Sequence, residues 1–294
     1  NTQVTKIEEE TSTSSQQKSE GVDGFLLSLF VLMVMFGLIA VASASYFLSY
    51  HTVGWGEYYT LRQIVFVLLA VCVSVVSYLI PTSVWRDNAP ILLCIVIGLL
   101  GLVLLPGVGK AVNGSYRWLY IGVNLQVSEM AKLSWILYLA GYVYRKQYLI
   151  ISQMSGLFVP FLLLGLMGGL VLLEPDFGSL FLLVVIGLSM LFFAGMPWRY
   201  VLILIFMGAI GLLALAFAAP YRLARLTSFF DPWSNPFGDG YQLTQSLMAI
   251  GRGGLTGVGM GYGLQKQLYL PEAHTDFIFA VIAEELGYLG AAFV

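Results

Sequence analysis

The sequence predicts an all-α, polytopic integral membrane protein, and three observations carry that expectation. Apolar residues make up 59% of the 294 residues and charged residues only 10%, far from the usage of soluble domains. The mean hydropathy is +0.85. The apolar residues are also gathered into runs, near 24–48, 61–80, 90–105, 128–144, 154–173, 178–195, 200–219 and 277–294, which gives eight spans. A bilayer core needs about 20 apolar residues per helix. The third and sixth runs are the short ones.

Residues 1–22 are rich in Ser, Thr, Gln and Glu, cannot bury a core, and are expected to form a disordered cytoplasmic tail. Residues 23–294 form the membrane domain. The first run precedes Ala42-Ser43-Ala44, which resembles a cleavage site. Its apolar stretch exceeds a signal h-region, however, and Glu8, Glu9 and Glu10 lie ahead of it, so it is expected to stay as a span. With a cytoplasmic N-terminus, Lys6, Lys18, Arg86, Arg145, Lys146 and Arg199 fall inside, as positive-inside topology asks. Lys110, Arg117 and the long loop 220–276 then lie outside. Basic residues left on that face fit a negatively charged ligand.

Other classes find no support. Cys72 and Cys94 lie within spans and offer neither a disulfide framework nor metal spacing. Nucleotide-binding and zinc-protease motifs are missing, and no basic-aromatic stripe fits nucleic acid, which is not an expected partner. Gly165/Gly169 and Gly98/Gly101 read as helix-packing stripes.

Taken in order, the polar positions that interrupt the apolar runs are the candidate site. Before the fourth span, Asn113-Gly114-Ser115-Tyr116-Arg117-Trp118 places Arg117 among interfacial aromatics. Glu129 and Lys132, three apart in the fourth span, share a helix face and are expected to pair toward the bundle interior or a hydrated cavity, either bracing helices or touching substrate. In the turn Glu174-Pro175-Asp176-Phe177-Gly178, Pro ends one helix and Asp176 reads chiefly as the cap of the next.

The loop 220–276 gathers Arg222, Arg225, Asp231, Asp239, Arg252, Lys266, Glu272, His274 and Asp276. Residues 241–250 return to helical periodicity, with Leu243, Leu247 and Ile250 on one side and Gln242 and Gln245 facing solvent or ligand, which predicts an interfacial helix. The six glycines from Gly253 to Gly263 would let backbone approach a ligand or simply form a re-entrant turn. Asp276 sits where the eighth span opens. Glu284 lies about 12 Å deeper and about 80° around the helix, with Glu285 pointing away.

Five ordered segments, NGSYRW (113–118), QVSEMAKL (126–133), LEPDFGS (173–179), GYQLTQSLMAIGRGG (240–254) and YLPEAHTDFIFAVIAEELG (269–287), resemble the SEDS family of membrane glycosyltransferases. Asp231-Pro232-Trp233 and Pro271-Glu272-Ala273-His274 are similar to its division branch rather than its elongation branch, which usually carries Arg where this chain has Ala273.

The resemblance implies a SEDS-type bundle of ten helices, eight of them present, with 220–276 as the large extracytoplasmic loop. The implied activity is polymerisation of lipid II into peptidoglycan at the division septum of a bacterial inner membrane. Asp276 would then be the general base of an inverting transfer. Substrate contacts would come from Arg117, Glu129, Lys132, Arg222, Arg225, Gln245, Arg252, Lys266, Glu272 and His274.

Partners implied are lipid II, the undecaprenyl-pyrophosphate-linked glycan, a class B penicillin-binding protein of the FtsI-like transpeptidase type, and the division regulators FtsQ-FtsL-FtsB and FtsN. A divalent cation, Mg or Mn, remains open as cofactor, since no dedicated ligand cluster is visible. Val127 replaces the family's usual Pro, and Asn124 stands where many members are basic. A flippase using Glu129, Lys132, Glu284 and Glu285 as a path, and a scaffold for a transpeptidase, are the alternatives. A cysteine placed at Ser234 should react with an impermeant thiol reagent in intact spheroplasts; labelling only after lysis would reverse this topology.

Overall fold

The computed structural model describes residues 23–105, 107–112, 115–120, 122, 124–217 and 228–294, so the expected tail 1–22 and the candidates Arg222 and Arg225 lie outside the described residues. Helices occupy all eight positions where hydropathy predicts spans: α1 (Gly24–Val53), α2 (Tyr58–Leu79), α3 (Thr82–Val103), α4 (Val127–Ser152), α5 (Ser155–Leu173), α6 (Phe177–Phe193), α7 (Trp198–Phe217) and α9 (Ile278–Phe293). The helix expected over 241–250 is α8 (Tyr241–Gly253). By length and composition α1, α2, α3 and α5 are able to cross a membrane, and α6 is a shorter apolar helix. The chain divides into two compact units, one of residues 1–72 with 220–294 and one of residues 73–219.

In the second unit the core forms where α3, α4, α5 and α6 meet. Trp135 is fully buried there with Leu93, Leu100, Leu139, Met167 and Leu183. Its indole N–H would be a costly orphan in this apolar setting, and it donates to the Leu183 carbonyl at 3.2 Å. Gly187, one turn on, leaves room for the ring: a Cβ there would lie 3.1 Å from Trp135 Nε1.

Helix packing uses other glycines than the two expected stripes. An added Cβ at Gly98, Gly101, Gly165 or Gly169 would meet nothing within 4 Å, whereas at Gly168 it would press on Leu180. The small-residue spacing marked positions without a packing neighbour, because spacing alone does not reveal which helix face is covered.

A feature the all-α expectation lacked lies between α3 and α4. Strands β1 (Gly109–Val112), β2 (Ser115–Tyr120) and β3 (Asn124–Gln126) form a small antiparallel sheet in the order β1-β2-β3. β3 runs directly into α4, so the sheet sets where that helix begins.

In the first unit, α1 opens with Asp23 accepting from the amides of Phe25 and Leu26 and closes at Gly54, whose φ of 79° permits the left-handed cap. The buried face of α1 is small and polar, Ala44, Ser45 and Ser49. Helix α8 packs on α9 through Ala249 and Gly253, while Leu247, Met248 and Ile250 are exposed. The apolar side of α8 thus points outward and its small-residue side inward. A Cβ at Gly253 would fall on the Ala283 carbonyl oxygen, so only glycine allows that approach.

Candidate functional site

Helix α9 carries two buried carboxylates, Glu284 and Glu285, and the loop between α8 and α9 is built around them. Glu284 accepts from the backbone N–H of Leu264 at 2.9 Å and of Gln265 at 3.1 Å, and lies 3.8 Å from Arg252. Glu285 pairs with Lys266 at 2.5 Å. Ser43 of α1 donates to Glu285 at 2.8 Å and accepts from Lys266, also at 2.8 Å, which completes a three-element cluster. Both charges are thereby neutralised or hydrogen-bonded, as an apolar surrounding requires.

The backbone is tied in the same way. Gly287, at φ 69°, breaks the helical ladder of α9 and frees the carbonyls of Glu284 and Glu285. Val258 and Gly259 donate to them at 3.0 Å each, while the amides of Tyr288 and Leu289 turn to the carbonyls of Gly254 and Leu255. The loop glycines serve this contact. A Cβ at Gly257 would strike the Glu285 backbone and one at Gly263 would lie 2.9 Å from the Glu284 carboxylate.

Several expected ligand contacts are engaged otherwise. Lys266 is buried in its pair with Glu285 and presents no open cation. Arg117 donates to the carbonyls of Glu174 at 3.2 Å and Pro175 at 2.5 Å, bracing the turn between α5 and α6. Glu129 and Lys132 do pair, at 2.7 Å, but the Glu129 side chain is 59% exposed rather than enclosed. The packed stripe of α4 runs through Val127, Ala131, Ser134 and Trp135, and the pair stands beside it.

The open groups are found at the entrance of α9. The segment Glu272–Phe277 is a turn in which the amides of Thr275 and Phe277 donate to the Glu272 carbonyl at 3.2 Å. Asp276 therefore lies just outside the helix, is exposed, and caps nothing; among the described residues it has no hydrogen bond or ion pair. Glu272 takes a left-handed backbone, φ 53°, and accepts from Thr275 Oγ1 at 2.9 Å. His274 lies over Tyr59 of α2, ring centroids 5.4 Å apart. Gln245 is half-buried on α8 and Arg252 is 43% exposed at its end. No group of three His, Cys, Asp or Glu side chains suited to a metal occurs among the described residues.

At the turn between α5 and α6, Asp176 caps α6 as expected, accepting from the Ser179 amide at 3.2 Å and from the hydroxyls of Ser179 and Ser128 at 2.8 and 3.0 Å. Burial alone would raise its pKa; the bonds from Ser179 and Ser128, with Arg117 nearby, outweigh this and hold it below the ordinary carboxylate value. Glu174 is the opposite case. It is fully buried with neither carboxylate oxygen hydrogen-bonded, and burial, reinforced by Asp176, pushes its pKa up to about 7 against the pull of Arg117.

The sequence profile of the cell cycle proteins FtsW, RodA and SpoVE matches residues 24–294. The chain belongs to the FtsW/RodA/SpoVE family. Family members similar to it include the probable peptidoglycan glycosyltransferases FtsW of Coxiella burnetii, 45% identical over 91% of this chain and 72% of that protein, and of Thioalkalivibrio sulfidiphilus, 48% identical over 92% and 68%. Among solved structures the fold is similar to the rod shape determining protein RodA of Thermus thermophilus, TM-score 0.62 and 25% identity, covering 94% of this chain and 71% of that one. It is equally similar, at TM-score 0.62 and 25% identity over 89% and 73%, to a chain of a peptidoglycan synthase complex.

Two outcomes follow for stability. Lys266→Met should leave a buried, unpaired Glu285 and cost about 3–5 kcal/mol, with much of it restored when Glu285→Leu is added; this is read as unfolding midpoints in detergent, and purely additive losses would show that the pair does not couple. Glu174 titrates higher folded than its ordinary 4.5, so folding favours its neutral form. Its contribution is full below about pH 4.5 and falls away as pH rises to about 7, by up to about 3 kcal/mol. Asp176, shifted the other way, acts only at lower pH. Glu174→Gln should flatten the decline of thermal midpoint between these pH values; parallel curves for both proteins would contradict the assignment.

Proposed function

We propose that the chain is a peptidoglycan glycosyltransferase of the division type, FtsW-like, that polymerises lipid II at the outer face of the bacterial inner membrane, at the septum, with its N-terminus cytoplasmic. Membership of the family and the glycosyltransferase relatives support the activity. The single observation that carries the catalytic assignment is Asp276, an exposed carboxylate without a partner among the described residues. It is presented by the turn at the entrance of α9, whose two deeper carboxylates, Glu284 and Glu285, are buried and paired.

Glycan extension joins a sugar hydroxyl of the incoming lipid II to the anomeric carbon of the lipid-diphosphate-linked chain. Asp276 takes the hydroxyl proton as the new C–O bond forms, and the anomeric carbon–oxygen bond to the diphosphate breaks with inversion. The departing diphosphate carries the negative charge away, and Arg252, 43% exposed at the rim of its contact with Glu284, is a cation suited to stabilising it. Lys266 acts one step removed, by holding Glu285 and with it the loop. Glu129 and Lys132 are proposed to touch substrate, through the exposed Glu129 carboxylate of a pair whose Lys132 is mostly enclosed. A transport path would need Glu284 and Glu285 free, and both are tied.

The solved peptidoglycan synthase complex supports a transpeptidase of the penicillin-binding class as partner. The full SEDS bundle of ten helices, eight of them in this chain, remains part of the proposal, as do the division regulators FtsQ-FtsL-FtsB and FtsN. Asp276→Asn keeps size but not basicity, and should lower lipid II polymerisation about 10²–10⁴-fold while leaving the folded protein and its transpeptidase complex intact. Near-normal chain extension by folded Asp276→Asn, assayed without any other glycosyltransferase, would overturn the assignment and turn attention to Glu272.

A further inference from the structure

Glu174 stands apart from the other charges of the second unit, because the reaction proposed above makes no use of it and packing does not neutralise it. It occupies the turn between α5 and α6, is fully buried, and has neither carboxylate oxygen hydrogen-bonded among the described residues. A carboxyl group enclosed in this way favours its neutral form. Two residues on, Asp176 is the reverse, with donors from Ser128 and Ser179 around its ionised carboxylate. The charged groups that face Glu174 are Asp176 in its own turn and Arg117 of β2. Neither α5 nor α6 carries an ionisable side chain, and Glu129 and Lys132 at the start of α4 are paired with each other.

The same turn holds the start of α4 by two routes. Arg117 grips the turn's backbone through the carbonyls of Glu174 and Pro175, and β2, which carries Arg117, pairs with β3, the strand that runs into α4. Asp176 Oδ2 accepts from the Ser128 hydroxyl at 3.0 Å and from Gln126 Nε2 at 3.4 Å, and so holds the first turn of α4 directly. Glu129 is the next residue after Ser128. With its side chain 59% exposed it has little packing of its own, so its place follows from the turn that holds Ser128.

We propose that Glu174 is a proton-operated latch on this brace: neutral, it lets the turn hold the start of α4 and so position Glu129; ionised, it loosens that hold. The inference rests on the substrate contact proposed for the Glu129–Lys132 pair, and it makes Glu174 a positioning residue. An ionised Glu174 meets the Asp176 carboxylate as a like charge in an enclosed site, and the cation facing it, Arg117, is engaged on the backbone of the turn. Drawing Arg117 to the new charge takes it from the Glu174 and Pro175 carbonyls, and repulsion pushes Asp176 away from Ser128. Either movement frees the first turn of α4. Burial, reinforced by Asp176, pushes the Glu174 pKa up to about 7, so the latch is closed on the acid side and opens as pH rises through neutrality.

The test compares the unsubstituted chain with Glu174→Gln, whose uncharged amide has the same size and keeps the latch closed at every pH. Lipid II polymerisation is followed from about pH 6 to about pH 8, with thermal midpoints above the assay temperature. The neutral fraction of Glu174 falls about tenfold over this range, so the rate of Glu174→Gln relative to the unsubstituted protein should rise reversibly by up to about tenfold. Titration of the substrate or of other groups is common to both proteins and cancels in the ratio. A second readout needs no activity: spin labels on Leu133→Cys of α4 and Leu173→Cys at the end of α5, both exposed positions, with Cys72→Ser and Cys94→Ser. Their distance distribution should widen between the two pH values when Glu174 is present and stay constant with Glu174→Gln. A constant rate ratio overturns the latch, as does a distance distribution that does not depend on Glu174. Absence of polymerisation by both proteins at every pH would instead remove the glycosyltransferase reading, and the spin-label distances then decide the latch by themselves.

Discussion

Burial of Glu284 and Glu285 side by side in an apolar helix is the constraint around which the first unit is arranged. Neither carboxylate can be left unsatisfied there without a penalty of several kcal/mol. The loop 252–266 meets that demand with two backbone amides, the Lys266 ammonium and a helix-breaking Gly287 that turns the α9 backbone toward it. Ser43 draws α1 into the same cluster. The glycine-rich composition of the loop follows from the closeness of these contacts, because side chains at 253, 257 or 263 would collide with α9.

The consequence for chemistry is a sorting of charges. Lys266, Glu284 and Glu285 are enclosed and act on shape; Asp276 is exposed and unpaired among the described residues, and Arg252 is part-exposed beside Glu284. The second unit shows a parallel sorting. There Arg117 and Asp176 fix the turn between α5 and α6, whereas Glu129 stays exposed in its pair with a mostly enclosed Lys132. Charges in a mostly apolar chain are too costly to be idle, and position in the fold decides which of them support the site and which are exposed to bind.

Much of the architecture was legible in the sequence because a bilayer imposes one strong signal, the length of apolar runs. All eight runs correspond to helices, and the Asp176 cap followed from the Pro-Asp turn chemistry. The sheet at 109–126 escaped because its strands are short and carry no alternation strong enough to stand out beside the spans. Gly165 and Gly169 misled for a related reason. A lipid-facing stripe and a helix-facing stripe look alike in a membrane sequence.

The sequence by itself determined the membrane class, the helical order, the family and the short set of polar positions among which the chemistry lies, since each of these is local in the chain or carried by motifs. Only the tertiary structure decided which charges are paired and buried and which are exposed. Ser43 and Glu285 are 242 residues apart and meet through a single hydroxyl, and His274 of the loop meets Tyr59 of α2. Pairing, burial and exposure depend on which elements meet in space, and that information is spread over contacts no single segment contains.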